Sequence, residues 1–214
     1  MPELILPFLL VVAVLTVTPG PDWAIVLRNG MRGGASLAWW TGLGCCTGIA
    51  AHAAAAVLGL SALLAASATA YTVVKLAGAA YLVYLGVTAL WHARRGIGAG
   101  SAPAPEVAAE AGEPVTRGAA FRQGVLNNLL NPKIALLFLT LLPQFVAADE
   151  PRATTSAVLA VVFLVSAVLW WRVFSFAVGA LGRALTRDRV RLTLERLTGG
   201  VLVALGVRVA LDQS

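Results

Sequence analysis

Residues 16–26 read TVTPGPDWAIV: inside a run of apolar side chains the sequence places Pro19, Gly20, Pro21 and then Asp22. An interior proline removes a backbone hydrogen bond and collides with the preceding turn, costing about 3 kcal/mol in an ordinary helix. Two prolines separated by one residue predict a full interruption rather than a bend. Thr18 or Gly20 can cap, Pro19 or Pro21 can open the next helix, and Asp22 then falls in its first turn. The stretch reads as two half-helices.

The surroundings make this unusual. The 214 residues are 59% hydrophobic and 12% charged, with a mean hydropathy of +0.83, whereas soluble domains are about half apolar and a quarter charged. The apolar residues form blocks long enough to cross about 30 Å of hydrocarbon at about 1.5 Å per residue. The composition predicts an all-α membrane protein with six transmembrane helices, near residues 4–27, 37–64, 68–91, 121–146, 153–181 and 194–211. The first block is kept as a true span, because Glu3 stands where a secretory leader carries basic residues and no A-x-A site precedes the prolines.

Six spans sort the basic residues. Eleven of the sixteen fall on one side: Arg28 and Arg32, the group from Arg94 to Arg122, and the group from Arg183 to Arg196. Lys75, Arg152 and Arg208 fall on the other, while Lys133 and Arg172 lie within spans. This bias marks the first side as cytoplasmic and puts both termini outside. The net charge of +6 therefore reads as topology, not as nucleic-acid binding. Residues 93–118, containing SAPAPEVAAEAGEPV, read as a flexible cytoplasmic linker. It divides the chain into halves 1–92 and 119–214, each of three spans. An odd number of spans sets the halves in opposite orientation, as inverted repeats.

The second half has its own interruption in LNNLLNPKIALLF, residues 126–138, where Asn131 can cap, Pro132 can open a helix and Lys133 follows. Paired breaks in corresponding spans of inverted halves point to a transporter's central site. Thr18, Pro19, Gly20, Pro21 and Asp22, with Asn128, Asn131, Pro132 and Lys133, are the candidate substrate-binding or gating residues. Asp22 and Lys133 each have two readings. They can neutralise one another, or Asp22 can engage a substrate ammonium or a proton while Lys133 attracts a carboxylate or gates the path. His52, near mid-span, is a second proton-relay candidate or a hydrogen-bonding tie to a neighbouring helix. Arg172 reads as snorkelling toward an interface. Glycines at Gly44 and Gly48, Gly78 and Gly86, and Gly200 with Ala204 are expected at helix contacts. Cys45 and Cys46, adjacent in an apolar run, suit neither a disulfide framework nor a zinc site.

TPGPD at residues 18–22, then Gly30, Arg32 and Gly34, KLAGAAYLVYLG at 75–86 and NPKIALLFLTLLPQF at 131–145 together resemble the LysE/RhtB family of bacterial amino-acid exporters. The resemblance covers nearly the whole chain. It implies alternating-access export of a small zwitterionic solute, an amino acid or a close derivative, across the bacterial inner membrane. Proton exchange or the membrane potential would drive it, with no cofactor. It also implies a gate or helix terminus at Pro143, Gln144 and Phe145. Trp170, Trp171 and Arg172 fall outside the matched motifs, and homo-oligomerisation stays open. Two competing classes are weaker. A thiol-disulfide electron carrier needs a reactive cysteine in each half, and both lie in the first. A heavy-metal exporter needs clustered ligands, where only Asp22, His52 and the cysteines are on offer. No nucleophile–base or metal-ligand motif suggests an enzyme.

Overall fold

The computed structural model describes residues 2–66, 115–147 and 149–185 continuously, with scattered positions between 69 and 91 and between 192 and 207. Most of the third and sixth predicted spans and of the linker lie outside the described residues. The described regular structure is helical.

Helix α1, Ile5–Val17, stops because neither Pro19 nor Pro21 has an N–H to continue it. The Thr18 N–H turns back to the Leu15 carbonyl at 3.3 Å. The hydroxyls of Thr16 and Thr18 donate to the carbonyls of Val12 and Val14, each at 2.7 Å. Helix α2, Pro21–Ala66, then begins with Pro21 as its first residue, and the Gly20 carbonyl accepts the Ala24 N–H at 3.0 Å. Of the alternatives open in the sequence, Gly20 and Pro21 are the pair used.

As a straight rod the 46 residues of α2 would run about 69 Å, twice the thickness of a bilayer's core. They fold back instead. Gly33 and Gly34 leave helical geometry, and Gly34 has φ 68° and ψ −165°, a region open chiefly to glycine. Across this corner Asn29 Nδ2 donates to Thr41 Oγ1 at 2.9 Å, although twelve residues of straight helix would separate them by about 18 Å. The polar connection expected around residues 28–36 thus shrinks to two glycines joining limbs 21–32 and 35–66.

Thr116 caps α3, Arg117–Leu129, by accepting the Ala119 N–H at 3.2 Å. Asn131 caps α4, Pro132–Leu141: its Oδ1 accepts the Lys133 N–H at 3.1 Å, with Pro132 opening the helix as expected. The 61° bend between Arg117–Leu129 and Lys133–Phe145 is the second break. A 3₁₀ turn, Leu142–Phe145, closes this segment, so the PQF motif is a helix terminus. Helix α5 runs Arg152–Leu185. By length and composition Pro21–Gly59 and Arg152–Val178 can each cross a membrane, and the bent pair passes as a third span. Beyond the 3₁₀ turn, Glu150 accepts the Glu3 N–H at 2.7 Å, bringing the chain's start beside the connection from α4 to α5.

Close packing sets the positions of these helices. Limb 35–66 and α3 approach to backbone contact: a Cβ on Gly44 would strike the Phe121 carbonyl oxygen, and one on Gly124 the Thr41 carbonyl oxygen. Gly44 and Gly48 are contact positions, as expected. In the sixth predicted span the expectation needs correcting by one residue. Gly199 meets Gly86, whereas a Cβ on Gly200 would meet none of the described residues within 4 Å, because successive helical residues point about 100° apart. Helix α5, for its part, is apolar on both faces. Phe163, Ala167, Trp171, Phe174 and Val178 are buried, while Val158, Val161, Val165, Leu169, Val173 and Phe176 are exposed along the other side. An apolar stripe of that length facing outward suits lipid. Arg172 is exposed, with its guanidinium 5.0 Å from the Trp39 ring centroid and 4.4 Å from that of Phe176.

Candidate functional site

The two breaks meet. A cavity enclosing about 550 Å³ of space free of protein atoms, open mouth included, is lined by Thr16, Thr18, Gly20, Pro21 and Asp22 from the first break and by Asn131 and Lys133 from the second. Its remaining walls come from α1, Trp23 of limb 21–32, limb 35–66, α4 and α5.

Asp22 is the centre of the arrangement. It is only 9% exposed, and each of its carboxylate oxygens is held by an amide from the other half of the chain. Asn127 Nδ2 donates to Oδ1 at 2.6 Å and Asn128 Nδ2 to Oδ2 at 2.8 Å. An ionised carboxylate accepts through both oxygens, and hydrogen bonds to a charged group are roughly twice as strong as neutral ones. The side-chain oxygens of both asparagines are buried with no hydrogen-bond partner among the described residues. They add two further acceptors beside the carboxylate.

The clamp depends on the tight helix crossing. A Cβ on Gly48 would sit 2.6 Å from Asn128 Oδ1, so the missing side chain leaves room for the asparagine. It also depends on the second proline. Pro132 has no N–H for the carbonyl of Asn128 four residues earlier, and two donors replace it: the Asn131 N–H at 3.0 Å and His52 Nε2, in its protonated tautomer, at 3.2 Å. His52 therefore reaches the site through the backbone that carries the clamp.

A second polar cluster lies along the same helix faces. Asn29, two turns after Asp22, donates from Nδ2 to Gln123 Oε1 at 2.9 Å as well as to Thr41, and Arg28 Nη2 reaches Gln123 Oε1 at 3.5 Å. Asn29 and Thr41 are fully buried and Gln123 nearly so. Gln123 precedes Asn127 by one helical turn, so the two clusters form one stripe between limbs 21–32 and 35–66 and α3.

The structure thus gathers most of the predicted residues. Thr18, Gly20, Pro21, Asp22, Asn131 and Lys133 line one cavity; Asn128 binds Asp22; Pro19 and Pro132 make the breaks; His52 supports the second. Asn127, Asn29, Thr41 and Gln123 are not singled out by the sequence. The signal that could have found three of them is spacing: polar residues at 123 and 127 on one otherwise apolar helix face, and at 22 and 29 on another.

The profile of one protein family, described as LysE type translocator, matches residues 13–213. The chain belongs to that family. This LysE type translocator is a transmembrane transporter and not an enzyme. It is 28% identical over 209 residues to the uncharacterized membrane protein YrhP of Bacillus subtilis, covering 97% of this chain and 99% of that one. It is 31% identical over 163 residues to the homoserine/homoserine lactone efflux protein of Salmonella typhimurium, covering 74% and 72%. It is 26% identical over 202 residues to the threonine efflux protein of Escherichia coli K12, covering 94% of each chain. No solved structure matches it.

Proposed function

We propose that this LysE type translocator exports an α-amino acid, or a close derivative, across the bacterial cytoplasmic membrane. The observation that carries the reading is that Asp22 and Lys133, one from each break, line one cavity. A carboxylate and an ammonium in one buried space complement the ammonium and carboxylate of a zwitterion. An ammonium has three donors and no acceptor, which suits the Asp22 carboxylate in the cavity wall. The substrate carboxylate goes to Lys133 at the start of α4, where the positive end of the helix dipole favours an anion. The names of the threonine and homoserine relatives support the same class.

In this reading six spans form two inverted halves, with both termini outside and the arginine-rich connections in the cytoplasm. The end where Glu3 meets Glu150 is then the outer one. Alternating access works by movement of one half against the other around the breaks. Proton exchange drives export, with Asp22 as the group that takes and releases the proton and His52 as a support of the second break. A charged residue at this depth is otherwise expensive to keep.

The deciding experiment is efflux of a panel of labelled amino acids from proteoliposomes with and without a pH gradient. Asp22→Asn and Lys133→Met should each abolish most flux in protein that is folded and inserted. Wild-type flux in both variants would refute the assignment, and gradient-independent flux would remove proton coupling.

A further inference from the structure

The cavity wall identifies which amino acids fit. Its polar groups divide into two sets. The hydroxyls of Thr16 and Thr18 donate to the carbonyls of Val12 and Val14, and Asn131 Oδ1 accepts the Lys133 N–H. The two hydroxyl protons and that amide oxygen are thereby engaged within their own turns. Asp22 and Lys133 form the second set and answer the charges that every α-amino acid shares.

What is left to meet the side chain is mainly apolar: α5 presents Phe163, Ala167 and Trp171 at successive turns, with Leu137, Ile134, Ile49 and the Trp23 ring in the rest of the lining, and the one further polar atom there is the buried Trp23 Nε1, without a partner among the described residues. Trp171 packs edge-on against Phe174 with centroids 5.5 Å apart, and Phe163 lies 4.9 Å from Phe138. These rings are held from behind. Ala167, between the two aromatic residues, leaves the hollow that a substrate side chain can fill.

Resting on the proposed amino-acid export, we infer that the solute is a neutral α-amino acid with a bulky apolar side chain, of the leucine, methionine or phenylalanine kind. A hydroxylated side chain placed against this wall gives up its hydrogen bonds to water. A basic side chain brings a second cation to a lining whose one carboxylate is Asp22. An acidic side chain would sit beside that carboxylate.

The test uses the wild-type protein in proteoliposomes loaded with equal concentrations of leucine, methionine, phenylalanine, threonine, homoserine, lysine and glutamate. Efflux of leucine, methionine or phenylalanine should exceed that of threonine and homoserine by ~10-fold or more in kcat/KM, the discrimination one or two lost contacts produce. Equal or faster efflux of threonine, homoserine or lysine overturns this inference and leaves amino-acid export standing. Absence of flux for every amino acid overturns the export reading and this inference with it. Ala167→Val gives a second readout within the transporting protein. By narrowing the hollow it should lower the leucine-to-alanine efflux ratio by ~10-fold, through KM for leucine. An unchanged ratio places the side chain elsewhere and refutes the proposal.

Discussion

Asn127→Ala isolates the clamp on Asp22. The substitution removes one amide donor at 2.6 Å from a buried carboxylate and leaves Asn128 on the other oxygen. Hydrogen bonds to charged groups contribute about 1.5–3 kcal/mol, against about 0.5–1.5 for neutral pairs. For a chain of this size each kcal/mol moves the midpoint by about 2–4 °C, so Asn127→Ala should unfold about 3–12 °C earlier. In an Asp22→Asn background the same change removes only a neutral contact. The double-mutant cycle should then give a coupling of about 1–2 kcal/mol, well above the scatter of about 0.5 for independent sites. Cys45 and Cys46 are free and buried, so the rate of labelling by a thiol-reactive dye during a thermal ramp reports unfolding without an introduced cysteine. Additive costs for Asn127→Ala and Asp22→Asn would refute the view that the asparagine holds a charged carboxylate.

The same geometry sets the outcome of other substitutions. Gly124→Val should cost about 1–3 kcal/mol by overpacking the crossing, read as loss of the monodisperse peak in detergent, whereas Gly59→Ala, with no described residue within 4 Å of its added Cβ, should leave that peak unchanged. Gly34→Ala should lower the melting midpoint by forcing a side chain into φ 68°, ψ −165°, a glycine-only region, at about 1–3 kcal/mol. Gly20→Ala is its contrast, since a Cβ there meets no described residue within 4 Å and Gly20 is not among the positive-φ glycines. Asn29→Leu should destabilise the protein by more than Thr41→Val, because it releases both Thr41 and Gln123; an equal loss in a melting scan would show that the stripe does not act as one network.

The breaks were legible because they are local chemistry. A proline without an N–H, an asparagine one residue before it and a carboxylate one residue after another proline act within a single turn, and the structure puts Asn131, Pro132, Pro21 and Asp22 in those places. What binds across the chain was only partly legible. Asn128 could be named, but Asn127 could not, since the partner of both lies more than a hundred residues away and spacing along α3 does not say which of two adjacent amides faces Asp22. The Gly199 correction has the same origin: one residue of rotation decides which glycine is at the contact. The corner at Gly33–Gly34 was expected as a longer connection because Arg28 and Arg32 suggested a hydrated loop, yet helix persists up to the glycines and Arg28 turns inward to Gln123.

That two-glycine corner has a mechanical consequence. With Asn29 bonded to Thr41 across it, limbs 21–32 and 35–66 are tied at the corner, and in the alternating access proposed above they would travel as a single lever. Chemical crosslinks inside the lever would then leave transport running, while one between limb 35–66 and α3, which belongs to the other half, would stall it.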